Sequence, residues 1–160
     1  MSVTNDIVAA YRHPRAIMRR HLNSGAGEER ALIFVVASCV IFFVANLPVL
    51  SRISHLTQTD MGAELGASIF AWLFIAPLAL YVVAAALRIV LRVLGCKSSF
   101  FHTRLAIFWS LLATTPLVLL NGLTGGLIGP GIEQNIVGAV WFGAFIWIVA
   151  GSIREVCKAS

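Results

Sequence analysis

Four histidines, three cysteines and seven carboxylates are the side chains of this 160-residue chain that could hold a metal or move a proton, and their spacing suits neither task. No H-E-x-x-H, C-x-x-C or G-x-S-x-G pattern occurs. His13 and His21 share their segment with no third ligand in register, so both are expected at an interface in contact with water. Asp60, Glu64 and Glu133 are scattered, and read as solvated loop carboxylates, not an acid–base pair. The residues therefore point to no enzyme, no cofactor and no metal.

Arginine is the residue type whose spacing is informative. Arg12, Arg15 and Arg19 recur at helical intervals, and Arg88 and Arg92 lie four apart on one helical face, with Arg104 a short way on. These six are expected to form a basic collar for anionic lipid headgroups, where each guanidinium near a charged leaflet is worth roughly 1 kcal/mol. The isoelectric point of 9.7 would also suit nucleic acid. The charge distribution explains it without a nucleic-acid partner, because eleven of the twelve bases fall in alternate gaps between apolar stretches.

Those stretches, residues 31–50, 65–87, 100–120 and 136–153, must position everything else. Each is close to the roughly 20 residues that an α-helix needs to cross a bilayer core of about 30 Å. Hydrophobic residues make up 59% of the chain and charged ones 12%, with a mean hydropathy of +0.89, more apolar surface than a globule of this size can hide. An all-α polytopic membrane protein is predicted: a basic amphipathic arm over 1–30, four transmembrane helices over 31–154, and a short tail over 155–160. The first stretch is too long for a cleavable signal and lacks a cleavage pattern, so it is expected to remain as a span.

Arg52 is the only base in the first inter-span gap, and the third gap, 121–135, has none. This asymmetry predicts both termini and the 88–104 region in the cytoplasm. On that reading Cys96 and Cys157 face a reducing compartment and Cys39 lies in a span, so three unpaired thiols are expected. Within the arm, Ile7, Tyr11, Met18 and Leu22 share a face opposite the arginines, and Pro14 divides two short helices. Such an arm would lie on the membrane surface, unless it merely sets topology.

Inside the spans no Asp, Glu, Lys or His is expected at midplane depth, which argues against ion or proton coupling. Pro77 and Pro116 should kink the second and third spans, and Thr114 and Thr115 would border a small polar interior, with ordinary kinked packing as the alternative. Gly62, Gly66, Ala139 and Gly143 are small residues four apart that suit close helix packing, within the chain or against another protein. The glycine-rich run 121–131 reads as a flexible turn or a segment dipping back into the membrane.

Leu94-Gly95-Cys96-Lys97-Ser98-Ser99-Phe100-Phe101-His102-Thr103-Arg104, leading into a span with Trp109 and Pro116-Leu117, resembles the cytoplasmic loop and following span of the YIP family of Ypt/Rab-interacting membrane proteins, in its short bacterial branch. The resemblance extends from about Arg30 to Arg154. It implies a compact helical membrane domain without catalytic residues and, in eukaryotic members, a part in vesicle trafficking with small GTPases. This chain lacks the long acidic region and the aspartate–leucine–tyrosine–glycine–proline signature of those members, so a GTPase partner is not carried over. The function expected is to organise the lipid bilayer or other membrane proteins. An accessory subunit of a larger complex, and a carrier or channel for a small uncharged solute, are the alternatives.

Overall fold

The computed structural model describes residues 3–25 and 27–158; Met1, Ser2 and Ala26 of the expected arm and the last two residues of the expected tail lie outside them. The elements are α1 (Val3–Arg12), α2 (Pro14–Asn23), α3 (Glu28–Thr57), α4 (Met61–Phe70), a π-helical turn (Ala71–Ile75), α5 (Ala76–Val93), α6 (Phe100–Ala113), α7 (Thr115–Leu127) and α8 (Ile132–Lys158). The fold is all-α and polytopic. Among the described residues, α3, the continuous run Met61–Val93, and α8 are long and apolar enough to cross a membrane. The pair α6 and α7, bent by 46°, supplies a fourth span when counted as one.

Helix α6 is apolar on every side, the pattern of a helix surrounded by protein. Every residue from 105 to 115 is buried, with Trp109 and Phe108 fully enclosed. Around this axis pack α1, α3, α5 and α8. The axis ends where Pro116 interrupts the ladder, because a proline ring removes the amide that would bond the carbonyl four residues back. The Thr115 hydroxyl donates to that carbonyl, Leu112 O, at 2.8 Å. Thr114 Oγ1 donates to Ser110 O (3.1 Å) and Leu111 O (3.0 Å), and Ser110 Oγ to Ala106 O (2.7 Å). The hydroxyls expected to border a polar interior are thus buried but consumed by the bend itself.

Pro77 acts differently. It sits at the start of α5, directly after the π-turn, where the Ala76 amide bonds to Ala71 O, five residues back. A widened turn before a proline relieves the clash of its ring with the preceding turn.

The run 121–131 is mostly helix, which corrects its reading as a loop: α7 continues to Leu127 and the turn is confined to 128–131. Its glycines make the closest helix approach in the molecule. A Cβ on Gly122 would stand 1.8 Å from Ala45 O, and one on Gly126 would stand 2.3 Å from Pro48 Cβ. Arg52, the lone base at this end, donates from Nη1 to the Gly126 (3.3 Å) and Leu127 (3.2 Å) carbonyls, a cation on the negative end of α7. The small residues singled out from spacing lie elsewhere. Gly62, Gly66, Ala139 and Gly143 are exposed, and a Cβ on Gly66 or Gly143 meets no atom within 4 Å.

At the opposite end the loop between α5 and α6 is built by its own sequence. Gly95 takes φ +85 to close α5, the Cys96 amide bonds Leu91 O at 2.9 Å, and Ser99 caps α6 by accepting from the His102 amide at 3.2 Å. Cys96 and Cys157 are disulfide-bonded with Cα atoms 5.3 Å apart, tying this loop to the end of α8; the expectation of three free thiols is corrected to one, Cys39. The segment from residue 155 to 158, read as a tail, is the last turn of α8, with Glu155 and Val156 buried.

Pro14 does divide the arm into two helices. Its apolar face, however, is spent on protein: Ala10, Ile17 and Met18 are buried in the same core as Trp109 and Val156, so this face is not offered to lipid. The arm, the α5–α6 loop and the end of α8 therefore share one end of the bundle, and eleven bases gather there.

The two sets of glycines should respond oppositely to substitution. Gly122→Ala forces α3 and α7 apart, and is expected to cost roughly 1–3 kcal/mol of stability, whereas Gly66→Ala and Gly143→Ala should be neutral or gain up to about 1 kcal/mol from helix propensity. Unfolding of the three variants in detergent measures the contrast.

Candidate functional site

The basic end carries a built cavity where α2 crosses α8. The crossing is close because Gly151 has no side chain: a Cβ there would stand 2.7 Å from Pro14 Cγ. Beside it opens a cavity of about 420 Å³ lined by Arg12, His13, Arg15, Arg19, Trp147 and Arg154. Arg19 Nε donates to Glu155 Oε1 at 2.6 Å, and that carboxylate is almost fully enclosed. The bond to Glu155, and then its charge, hold the Arg19 pKa above its ordinary value. Arg12, Arg15 and Arg154 make no ion pair among the described residues. Three guanidinium groups beside an exposed indole can take the oxygens of an anionic group, with the ring at the edge of the apolar zone.

The six arginines grouped by spacing are not brought together. Arg12, Arg15 and Arg19 share the cavity, joined by Arg154, which spacing did not pick out. Arg88 is buried, donates from Nη1 to Cys96 O at 3.4 Å, and stands 5.5 Å from the centre of the Phe100 ring. Arg104 pairs with Glu28 and lies 5.6 Å from the Tyr81 ring centre. These two hold the loop and the start of α3 in place, and are spent on structure. Arg92 is exposed on the last turn of α5, away from the cavity. Of the six arginines, Arg12, Arg15 and Arg19 line the cavity and Arg88, Arg92 and Arg104 do not. Gly62, Gly66, Ala139, Gly143, Pro77, Thr114, Thr115 and Pro116 lie outside the cavity altogether.

His21 is also misplaced by sequence reasoning. It is buried, not solvated, with its ring 4.3 Å from Trp109 and 5.5 Å from Phe34, and its Nε2 has no hydrogen-bond partner among the described residues. The signal was available, since His21 follows Met18 by three positions on the arm's apolar face. His21 joins the arm to the α3–α6 core.

Burial, opposed by Asp6 and reinforced by Arg30 and Arg20, pushes the His21 pKa down to about 4. In the unfolded chain the group titrates near 6.5, so between about 6.5 and 4 the unfolded state binds more protons and stability falls as pH drops. The loss approaches roughly 3 kcal/mol by about pH 4. Thermal unfolding in detergent should show this slope in the wild type and a flatter one in His21→Phe over the same window. A wild-type midpoint indifferent to pH across it would contradict the placement.

The capped loop with Gly95 and Ser99, the buried Trp109 and the Thr115-Pro116 bend are the features that carry the resemblance noted from sequence. A family model, the Yip1 domain, matches residues 8–160. No curated protein and no solved structure matches the chain. Because the matched region takes in the arm from residue 8 onward, every candidate span and the last turn of α8, the chain belongs to the Yip1 domain family.

Proposed function

We propose that this Yip1-domain protein is a non-enzymatic membrane organiser that gathers anionic lipid, and through it membrane-protein partners, at its basic end. The observation that supports this reading is the cavity between α2 and α8, where Arg12, Arg15 and Arg154 make no ion pair among the described residues and stand beside the exposed Trp147. A phosphodiester is the anion that fits best. It accepts bidentate bonds from guanidinium, and its acyl chains would run down past Trp147 toward the bilayer. The base asymmetry supports a basic end on the cytoplasmic face of a bacterial inner membrane, with both termini inside, while the Cys96–Cys157 disulfide at that end is a bond that a reducing compartment disfavours and so weighs against it.

A second reading is an accessory subunit of a larger membrane complex. It is supported by Gly66 and Gly143, which stand open and leave close-approach faces for helices of another chain.

Native mass spectrometry of the protein, extracted in mild detergent from membranes containing phosphatidylglycerol and phosphatidylcholine, tests both. The wild type is expected to retain phosphatidylglycerol in preference. Arg12→Gln/Arg15→Gln/Arg154→Gln should lower that retention about tenfold or more, since each arginine contributes roughly 1 kcal/mol. Equal retention of the two lipids by the wild type would overturn the lipid reading. One partner chain held at a fixed stoichiometry would put the subunit reading in its place.

A further inference from the structure

The last turn of α8 carries three features of the basic end at once. Arg154 lines the cavity, Glu155 accepts from Arg19 Nε at 2.6 Å, and Cys157 is bonded to Cys96 of the α5–α6 loop. A helix end is where a backbone opens most readily, because its last four carbonyls have no partner within the helix. Helix α8 runs only to Lys158, so this turn is such an end. Fraying here would carry Arg154 out of the cavity and take the carboxylate away from Arg19 in the same movement.

The disulfide stands against that fraying. The loop it reaches is held by short-range bonds: the Cys96 amide donates to Leu91 O (2.9 Å), Arg88 Nη1 donates to Cys96 O (3.4 Å), and Ser98 Oγ pairs with Thr103 Oγ1 (3.4 Å). Those bonds fix Cys96 to α5 and α6. The sulfur–sulfur bond extends that hold across 61 residues of sequence to the end of α8. Both cysteines are half-buried, which leaves them within reach of a small thiol, and each is followed by an exposed lysine, Lys97 or Lys158. A cation near a sulfur favours the thiolate that leaves during exchange.

We propose that the Cys96–Cys157 bond is a redox switch on the basic cavity: closed, it holds Arg154 and the Glu155–Arg19 pair in place around an anionic headgroup, and opened by a dithiol it lets the last turn of α8 fray and the headgroup leave. This rests on the lipid reading of the cavity and adds its regulation. In the opening step a thiolate of the dithiol attacks one of the two sulfurs, the bond between them breaks, and the other cysteine leaves as a thiolate that takes up a proton. The second thiol of the reductant then displaces the first cysteine from the mixed disulfide. Two electrons and two protons pass from the dithiol to the protein, which ends with two thiols while the reductant ends as a disulfide. A permanent bond weighs against a cytoplasmic basic end; a bond that opens and closes does not, since disulfides in a reducing compartment are mostly transient and used for catalysis or sensing.

The test is native mass spectrometry of the full chain from membranes containing phosphatidylglycerol and phosphatidylcholine, as the disulfide, after reduction with dithiothreitol, and after reoxidation with glutathione disulfide. The disulfide form is expected to prefer phosphatidylglycerol. Reduction should lower that preference about three-fold or more, because the binding-competent turn is then only part of the population, and reoxidation should restore it. Hydrogen exchange across residues 152–158 should quicken on reduction, with 105–112 unchanged. Cys96→Ser/Cys157→Ser should behave as the reduced form and ignore both reagents; a variant that still responds to them overturns the switch. Equal preference in the two forms of the wild type, or exchange at 152–158 unmoved by reduction, overturns the switch and leaves the lipid reading standing. If neither wild-type form prefers phosphatidylglycerol, the lipid reading falls and the switch with it. These outcomes on the wild type hold even if the variant fails to fold.

Discussion

A proline that opens a helix straight after a buried one strands the carbonyl four residues back, and in this protein a hydroxyl and a backbone N–H of the bend take that carbonyl over. Pro116 has no amide to give Leu112 O, which accepts instead from Thr115 Oγ1 at 2.8 Å and from a backbone N–H at the end of α6. In water such a carbonyl would be solvated at little cost, but in the interior of a membrane bundle it would cost several kcal/mol. With the bend made affordable, α6 can stay upright as a fully enclosed axis while α7 leans away by 46° onto α3. The close seam of Gly122 and Gly126 on Ala45 and Pro48 follows from that lean.

Much of the fold was legible, for a plain reason. Apolar runs of about 20 residues have few stable fates, and all four read from sequence lie within helices of the structure, the third divided at its bend. The third was cut short because its last turns, Asn121 to Leu127, are rich in glycine, a poor helix former in water. In lipid the backbone must bond to itself whatever the side chains prefer, and there glycine serves close packing. Spacing could not tell which small residues face inward. Gly62 and Gly66 have the same interval as Gly122 and Gly126, yet the first pair is exposed and the second lies against α3. The Cys96–Cys157 pair, 61 residues apart in sequence, was hidden for a related reason, since it depends on where α8 ends relative to the α5–α6 loop.

At the basic end the sequence revealed the sign of the charge but not its use. Arg19 finds Glu155, 136 residues away, and Arg104 finds Glu28, 76 away, so two members of the apparent collar are neutralised by partners that no local pattern displays. The arm's apolar face was read correctly as a face and assigned to the wrong neighbour. An amphipathic helix buries its stripe against whatever apolar surface is nearest, and the core around Trp109 is nearer than the bilayer. What remains for an external ligand is the cluster of Arg12, Arg15 and Arg154.

The bend is the claim on which the rest stands, and a double-mutant cycle in unfolding free energy, at Thr115 and Pro116, tests it most directly. Thr115→Val alone should destabilise by roughly 1–1.5 kcal/mol, because Leu112 O loses the hydroxyl and keeps only the backbone N–H of the cap. In a Pro116→Ala background the alanine amide can bond Leu112 O, and the same Thr115→Val change should then cost about 0.5 kcal/mol or less, a clear non-additivity. Equal costs in the two backgrounds would show that the Thr115 hydroxyl does not answer the proline, and would contradict the account.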